Sequence, residues 1–487
     1  MVATSTETPE RSAERSRSSG GALTGVLAAA LLCVLVPFWL TTQSPGTPAY
    51  GLWFYGLGIT IWAGLRLSIL VSAGLPHLYG VIFWVFVYVF LGMAPIMQMR
   101  TGLLPNTIPN VDRSAVAPAF WIVIVGLICF EVGSYFGRKR GLSDGGSRRE
   151  LAPDRVRWFA GLALLLGVAV LVQVGVAAHV ADRATLLAAR SAAFSGDFAT
   201  LILASATVFP LVAVHAVFRV RRTQDPSLGR FGLGVAGAAL FALVVFTVNP
   251  LTSARITFGT TLLSLAVLFG AIATAARVRL LIAALVAGMV LVFPLADISR
   301  GSSDDGVLSL ATSGDYDAFL QVVNTYDYVG ASGATWGNQI LGSLLFFVPR
   351  SVWPGKPIDT GVLVADFQGF RFQNLSAPFW AEGYINFGWV GVVGFLALMG
   401  YLTARGDLHL AANLNAAGVL GLAGVVLPFF LLIILRGSML QAMGQLAAFA
   451  LAFLIISRRV DDKSPDEAQV GPAGTANCLE RSGPDAV

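Results

Sequence analysis

The chain has 487 residues, of which 56% are hydrophobic and only 12% are charged, and its mean hydropathy is +0.74. Soluble domains carry about 25% charged residues, so this composition excludes an ordinary soluble fold and predicts a protein that lies in lipid. The net charge of +5 would suit a nucleic-acid partner, but the placement of the basic residues argues against one.

Cysteine and histidine give no indication of a metal site. The three cysteines (Cys33, Cys129 and Cys478) and four scattered histidines have neither disulfide-framework nor metal-ligand spacing. No Walker-type glycine-rich motif occurs either. We therefore expect no metal, no nucleotide and no other cofactor.

Long apolar runs dominate the chain. A membrane-spanning helix needs about 20 mostly apolar residues. Twelve runs approach or exceed that length: 22–40, 51–72, 78–98, 116–136, 158–178, 198–218, 231–249, 256–275, 279–298, 387–404, 416–435 and 438–457. They predict an all-α polytopic integral membrane protein of about 12 transmembrane helices, with nine in residues 21–298 and three in residues 387–457.

The basic residues set the expected orientation. If the N-terminus is cytoplasmic, every tight basic cluster lies on the inside, after the fourth, sixth, eighth and twelfth runs. Positive charge retained on the cytoplasmic side is a general topological signal. Both termini are therefore predicted to be cytoplasmic, and nucleic acid is not needed to explain the charge. The tails 1–20 and 458–487, rich in Ser, Pro, Gly and charge, are predicted to be disordered.

The segment 299–386 is then one large external loop. It is rich in tyrosine, tryptophan and phenylalanine, whereas a disordered segment would be poor in aromatic residues. Residues 315–329 can form an amphipathic helix with Phe319, Val322, Val323 and Tyr326 on one side. The apolar run 340–348 is too short to span and is expected to lie at the interface or re-enter.

A cationic, proline-stiffened element follows that run. Residues 349–357 read Pro-Arg-Ser-Val-Trp-Pro-Gly-Lys-Pro. The guanidinium of Arg350 can pair with two phosphate oxygens, and Lys356 would add a point charge beside it. Anchoring of Arg350 and Trp353 at the headgroup level is the alternative.

Three further charged residues are candidates for the same site. Glu382 is expected near the water–lipid boundary, where a partly desolvated carboxylate can act as a general base; a solvated helix cap is the alternative. Arg255 and Arg300 begin and follow apolar runs at the level of lipid phosphates, and interfacial anchoring is the alternative for both.

The motifs of the loop together resemble a known family. Pro349-Arg350, Trp353-Pro354, Lys356-Pro357 and the run from Ala381 to Gly388, late in a chain of about twelve spans, are similar to those of the O-antigen polymerase (Wzy-type) family of oligosaccharide repeat-unit polymerases. The resemblance covers about residues 250–400; elsewhere only the hydropathy is similar.

The resemblance implies a metal-independent inverting glycosyltransferase with an integral-membrane C-type architecture. It implies a site on the outer face of the bacterial plasma membrane, with polyprenyl-diphosphate-linked oligosaccharides as donor and acceptor. A flippase and a chain-length regulator are implied partners. Arg350 and Lys356 would bind the diphosphate, with Arg255 and Arg300 as second candidates, and Glu382 would be the base. The remaining implied glycan contacts are Trp353, Trp380, Tyr384 and Asn386.

Two alternatives stay open. An O-antigen ligase-like transferase shares this architecture, although such ligases usually have a histidine in the large loop and this loop has none. A polysaccharide or lipid transporter would line its spans with polar residues, and the spans here are nearly all apolar.

Overall fold

The computed structural model describes residues 9–44, 48–49, 51–141, 148–196, 198–223, 228–289, 308–414 and 418–460. Within these ranges, ten helices are long and apolar enough to cross a membrane. The chain is therefore an all-α polytopic membrane protein, as its composition predicts.

The described residues form sixteen helices of more than one turn, numbered in chain order. They are α1 (Pro9–Ala30, continued by π-helical Leu31–Leu35 and by Val36–Thr42), α2 (Trp53–Ala73), α3 (Leu78–Phe86, continued by π-helical Val87–Met93 and by Ala94–Thr101), α4 (Arg113–Lys139), α5 (Pro153–Val174), α6 (Arg183–Ala193), α7 (Ala199–Thr223), α8 (Leu228–Thr247), α9 (Arg255–Leu268), α10 (Ala275–Ala287), α11 (Ala318–Ser332), α12 (Asn338–Leu344), α13 (Thr360–Gln368), α14 (Phe379–Asn413), α15 (Val419–Arg436) and α16 (Met439–Ile456). Single turns of helix lie at Ala177–His179, Ser309–Thr312 and Gly314–Tyr316.

One of the twelve predicted spans differs from the structure, and a second is described only in part. The run 256–275 is not one span, because α9 ends at Leu268 after 14 residues. The chain turns at Gly270, whose φ of +85° suits glycine, and Thr274 then caps α10. The run 279–298 is helical as α10, but residues 290–298 lie outside the described residues. The pattern of hydropathy missed the turn because the turn is itself apolar.

Connecting segments on the same side of the helices touch one another. Asn106 donates to the carbonyl of Thr312 at 3.0 Å, and the side chain of Asn249 donates to the carbonyl of His179 at 2.9 Å. We call the side formed by segments 102–112, 175–198, 248–254 and 308–378 the loop face.

The opposite side, which we call the basic face, is joined by a short antiparallel sheet. Strand β1 (Arg148–Leu151) pairs with β2 (Ser457–Val460), with Arg148 opposite Val460 and Leu151 opposite Ser457. These segments follow the fourth and twelfth predicted spans, so the alternation of sides inferred from the basic clusters holds for them. The sheet itself was not predicted from the sequence.

Helix α14 contains the sharpest break in the fold. Gly388 adopts φ +59° and ψ −140°, a backbone conformation that favours glycine, and the chain folds back there. Gly383 and Gly391 consequently approach so closely that a Cβ on either would press on the other's backbone. Residues Phe379–Asn386 thus form a buried helical arm, and the spanning part of α14 begins after the break, where the predicted span 387–404 starts.

The segment predicted to be the large loop contains helices in the parts described, whereas a disordered segment would not. Helix α11 buries Phe319, Val322 and Val323 of the predicted apolar face, whereas Tyr326 is half-buried; Gln321 and Asn324 are buried as well, so the first half of the helix is enclosed on every side. Helix α12 covers much of the predicted run 340–348 and ends before Pro349.

The predicted tails are partly wrong. Helix α1 begins at Pro9, inside the segment 1–20 that was expected to be disordered, and β2 includes residues 458–460. Residues 1–8 and 461–487 lie outside the described residues.

Candidate functional site

The segment Pro349–Pro357 folds as a turn closed by its own cations. Arg350 donates from Nη1 to the carbonyl of Lys356 at 2.7 Å and from Nη2 to that of Pro357 at 3.3 Å. The Nζ of Lys356 donates to the carbonyls of Phe346 at 2.5 Å and Val348 at 3.0 Å. These acceptors are neutral, so the turn keeps both positive charges while its shape is fixed.

Glu382 lies deeper than the sequence suggests. Its side chain is in the first turn of α14, and the residue is only 1% exposed. Its Oε1 accepts from the backbone N–H of Met439 at 2.9 Å, and its Oε2 accepts from the hydroxyl of Thr360 at 3.1 Å. The carboxylate is therefore more completely buried than the partly desolvated group expected from the sequence, and Glu382 joins α13, α14 and α16.

The turn and Glu382 are close neighbours in the fold. The carbonyl that Arg350 contacts belongs to Pro357, and the hydroxyl that Glu382 accepts from belongs to Thr360. Thr360 follows Pro357 by three residues, so the two lie at most about 10 Å apart along the chain. The two halves of the sequence motif thus meet through the start of α13.

Asp359 strengthens this junction. One of its carboxylate oxygens accepts from the backbone N–H of Gly361 at 2.8 Å, which caps α13, and the other accepts from the hydroxyl of Ser438. Ser438 in turn caps α16. The corner between α15 and α16 is thereby attached to the segment that follows the cationic turn.

Arg255 is part of an ionic cluster. Its Nη1 lies 2.8 Å from the Oδ2 of Asp315, and its side chain is largely buried. Arg436, at the end of α15, contacts both Asp315 at 3.7 Å and Asp317 at 3.4 Å. Arg436 also donates to the carbonyls of Gly314 and Asp315 at 3.0 Å each. We call Arg255, Asp315, Asp317 and Arg436 the ionic cluster.

Asp317 shows how strongly this cluster is desolvated. Burial raises the pKa of the Asp317 carboxyl, while the charge of Arg436 and a hydrogen bond from the N–H of Ser376 oppose that rise. A buried carboxylate of this kind needs its cationic partner. Arg436 therefore holds α15 against the loop, and this role was not predicted because its partners lie about 120 residues away.

The predicted aromatic and amide contacts divide into buried and accessible residues. Trp380 is fully buried, stacks on Phe83 and Phe86, and donates its indole N–H to the carbonyl of Val123 at 3.2 Å. Trp380 is thus a packing residue with its one donor already used. Trp353, by contrast, is half-buried in the cationic turn.

Tyr384 and Asn386 hold the arm of α14 against neighbouring helices. The ring of Tyr384 stacks on Tyr326 at 5.9 Å between centroids. Asn386 is fully buried and accepts from the N–H of Ile340 at 3.2 Å, which fastens α12 to the arm. Arg300, the remaining predicted site residue, lies outside the described residues.

Two residues of the loop face were missed as site candidates. Trp336 is 79% exposed and has a φ of +50°, a strained conformation for a residue with a side chain. Asp327 lies half-buried on α11, where burial and, to a lesser degree, the charge of Asp112 raise the pKa of its carboxyl to about 6. Gln368 donates to Asp327 at 3.5 Å. The sequence shows neither the strain nor the approach of Asp112.

Comparisons of the chain with protein-family models, with curated proteins and with solved structures find no match.

Proposed function

We propose that the protein polymerises polyprenyl-diphosphate-linked oligosaccharide repeat units, on the outer face of the bacterial plasma membrane. The observation that carries the proposal is the junction of the cationic turn with Glu382 through Thr360. The two motif halves on which the family resemblance rests are thus parts of one structural unit.

The cationic turn is suited to a diphosphate leaving group. Arg350 is held by carbonyls rather than by carboxylates, so an incoming phosphate meets the positive charge of its guanidinium, and Lys356 adds a second cation to the same turn. Fixed cations of this kind stabilise the charge that develops on a departing diphosphate. Arg255 is already paired with Asp315, and we assign it to the support of the loop instead.

The group transfer needs a base and no redox partner. The acceptor hydroxyl oxygen forms a bond to the anomeric carbon, the bond from that carbon to the diphosphate oxygen breaks, and its electron pair leaves with the diphosphate. The hydroxyl proton goes to a carboxylate. We assign that carboxylate to Asp327, because it is a half-buried group of the loop face with accessible surface, and its raised pKa of about 6 makes it a better proton acceptor than an ordinary aspartate.

Glu382 is a positioning residue in this scheme. Both of its carboxylate oxygens are occupied by Met439 and Thr360, and it is shielded from the acceptor. It keeps the start of α13, and hence the cationic turn, in place. Trp336 and Trp353 are the aromatic residues proposed to stack on sugar rings, since both have accessible surface.

The orientation follows from the charges. The basic clusters lie on the basic face, so we assign that face and both termini to the cytoplasm. The loop face then receives the lipid-linked donor and acceptor from outside, where a flippase would deliver them and a chain-length regulator would act.

A strain without the gene, complemented with wild type or with Arg350→Ala, tests the proposal. Lipid-linked glycans and surface polysaccharide would be sized together. We expect the variant to accumulate single lipid-linked units and to lose long chains. Accumulation of long lipid-linked chains would instead indicate a ligase. Unchanged glycans in both pools would overturn the glycan function.

A further inference from the structure

Three cavities lie one below another along helices α7 and α9, with α15 lining the middle and lower ones and α16 the upper and middle ones. The upper cavity, at the loop face, has a volume of about 310 Å³. The middle cavity is about 30 Å³, and the lower one, at the basic face, is about 120 Å³. None of them includes the cationic turn or Glu382.

The cavities share walls or bonded residues. Thr207, Thr257 and Gln445 line both the upper and the middle cavity. Ser264 lines the middle cavity, and its hydroxyl lies 3.0 Å from the Nε2 of His215, which lines the lower one. The stack therefore runs from one side of the helices to the other, with one hydrogen-bonded pair between its lower two chambers.

The charges that line the stack are all positive. Arg183 and Arg190 line the upper cavity, and Arg219 and Arg222 line the lower one. The Nε of Arg190 is buried and has no hydrogen-bond partner among the described residues. Among the described residues, none that lines the three cavities is an aspartate or a glutamate. Cationic mouths of this kind attract anions and repel cations and protons.

Between these mouths the walls offer hydroxyl and amide groups. Helix α9 presents Thr257, Thr260, Thr261 and Ser264 at helical spacing to the middle cavity. Hydroxyl side chains on one helical face inside a membrane protein give a dehydrated ion partners that lipid cannot supply. The nearly apolar spans of the sequence had argued against a transporter. These hydroxyl groups provide a polar lining of the kind that a transporter needs.

Helix α9 is shorter than the hydrocarbon core of a membrane is thick. Its 14 residues extend about 21 Å, whereas the hydrocarbon core of a bilayer is about 30 Å thick. Helix α9 is thus too short to cross the hydrocarbon core alone, and the upper and lower cavities lie beside its two ends. Ala254, its N-cap residue, makes no side-chain cap and lines the upper cavity, so the positive end of the helix dipole adds to the two arginines.

The middle cavity limits what can pass. A volume of 30 Å³ holds roughly two water molecules, since one water needs about 10–15 Å³ on this measure. A sugar or a lipid headgroup does not fit. From the charge, the lining and this size, we infer that the stack is a path across the membrane for small monovalent inorganic anions such as chloride.

Flux through proteoliposomes tests the path independently of glycan chemistry. Full-length protein would be reconstituted with an encapsulated chloride-quenched dye, a chloride gradient, and valinomycin to carry the counter-charge. We expect chloride entry well above that of protein-free liposomes. Entry no faster than in protein-free liposomes would overturn the inference, as would proton flux, or potassium flux measured separately without valinomycin, equal to or above that of chloride. Polymer formation does not enter this readout, so the two proposals can fail separately.

A matched pair of variants locates the path. Thr260 and Thr403 are both buried threonines whose hydroxyls donate to a carbonyl of their own helix, but Thr403 lies in α14, away from the stack. We expect Thr260→Val to slow chloride entry about tenfold, because it removes the hydroxyl that would turn from the carbonyl of Thr257 to the passing ion, and losing one hydrogen bond to the ion costs roughly that factor. Thr403→Val should leave entry unchanged. Equal effects of the two substitutions would contradict the location.

Discussion

The cationic turn at Pro349–Pro357 and the corner that follows Arg436 lie in the same region of the loop face, yet they treat positive charge differently. In the turn, Arg350 and Lys356 donate to neutral carbonyls. At the corner, Arg436 contacts the carboxylates of Asp315 and Asp317. A carbonyl leaves the charge available to an incoming anion, whereas a carboxylate cancels it. The comparison assigns binding to the turn and support to the ionic cluster.

Removing Arg436 should have the largest effect on stability. Arg436→Met leaves the buried carboxylate of Asp317 without its cation, and breaking a buried ion pair from one side costs about 3–5 kcal/mol. We expect a markedly lower thermal unfolding temperature in detergent micelles. Arg371→Met, at an exposed arginine of the same loop, is the control. Equal unfolding temperatures for the two variants would show that the ionic cluster does not support the loop.

Substitutions of Glu382 distinguish a positioning role from a role as the catalytic base. In Glu382→Gln, the amide oxygen can still accept from Met439, and the amide N–H₂ can donate to the hydroxyl of Thr360. We expect this variant to retain most polymer formation, while Glu382→Ala loses both contacts and most product. A folded Gln variant without polymer would contradict the positioning role and identify Glu382 as the base.

The substitution Arg350→Lys tests whether the turn needs a bidentate hydrogen-bond donor. A lysine at this position can keep the charge but cannot span the carbonyls of Lys356 and Pro357 with the same planar fork. We expect Arg350→Lys to reduce polymer formation nearly as much as Arg350→Ala, by about tenfold or more, as befits loss of one charged hydrogen bond. Normal product from the lysine variant, at equal membrane levels, would show that charge alone suffices.

The pH dependence should follow Asp327. With its pKa raised to about 6, the carboxyl must lose its proton before it can act as a base, so polymer formation should rise as pH passes through about 6. The raised pKa has the opposite consequence for folding. Between the ordinary value of 3.8 and about 6, the native state holds a proton that the unfolded state has lost, so this group's contribution to stability falls as pH rises.

Asp112→Asn should give the smallest effect. It removes the like charge that helps to raise the pKa of Asp327, and asparagine still caps α4 as Asp112 does. We expect the acid limb of the pH–activity profile to move to lower pH without loss of maximal activity. An acid limb that does not move in Asp112→Asn would exclude Asp327 as the base. So would an acid limb that persists in Asp327→Asn.

Much of the fold followed from the sequence, because period and hydropathy report local burial. The apolar face of α11 and the run before Pro349 were predicted on that basis. The turn at Gly270 was missed, since its apolar residues do not interrupt the hydropathy. The break at Gly388 was missed because glycine there serves backbone geometry, which composition does not reveal.

The site was harder to predict than the fold. Sequence patterns singled out Arg350, Lys356 and Glu382, and the structure brings these into one unit. They could not show that Arg255 is paired with Asp315 or that Trp380 is fully buried, because both depend on residues far away in the chain. Arg436 and Asp327 lack any local motif, and only their partners in space mark them out.

The most direct test of the central claim is polymer formation by purified protein in vesicles that contain lipid-linked repeat units. Wild type, Arg350→Ala and the exposed-arginine control Arg371→Ala would be compared at equal protein levels, with products sized on a gel. We predict a ladder of chain lengths from wild type and from the control, and single units from Arg350→Ala. A ladder from all three would contradict the assignment of the cationic turn, and none from wild type would contradict polymerisation itself.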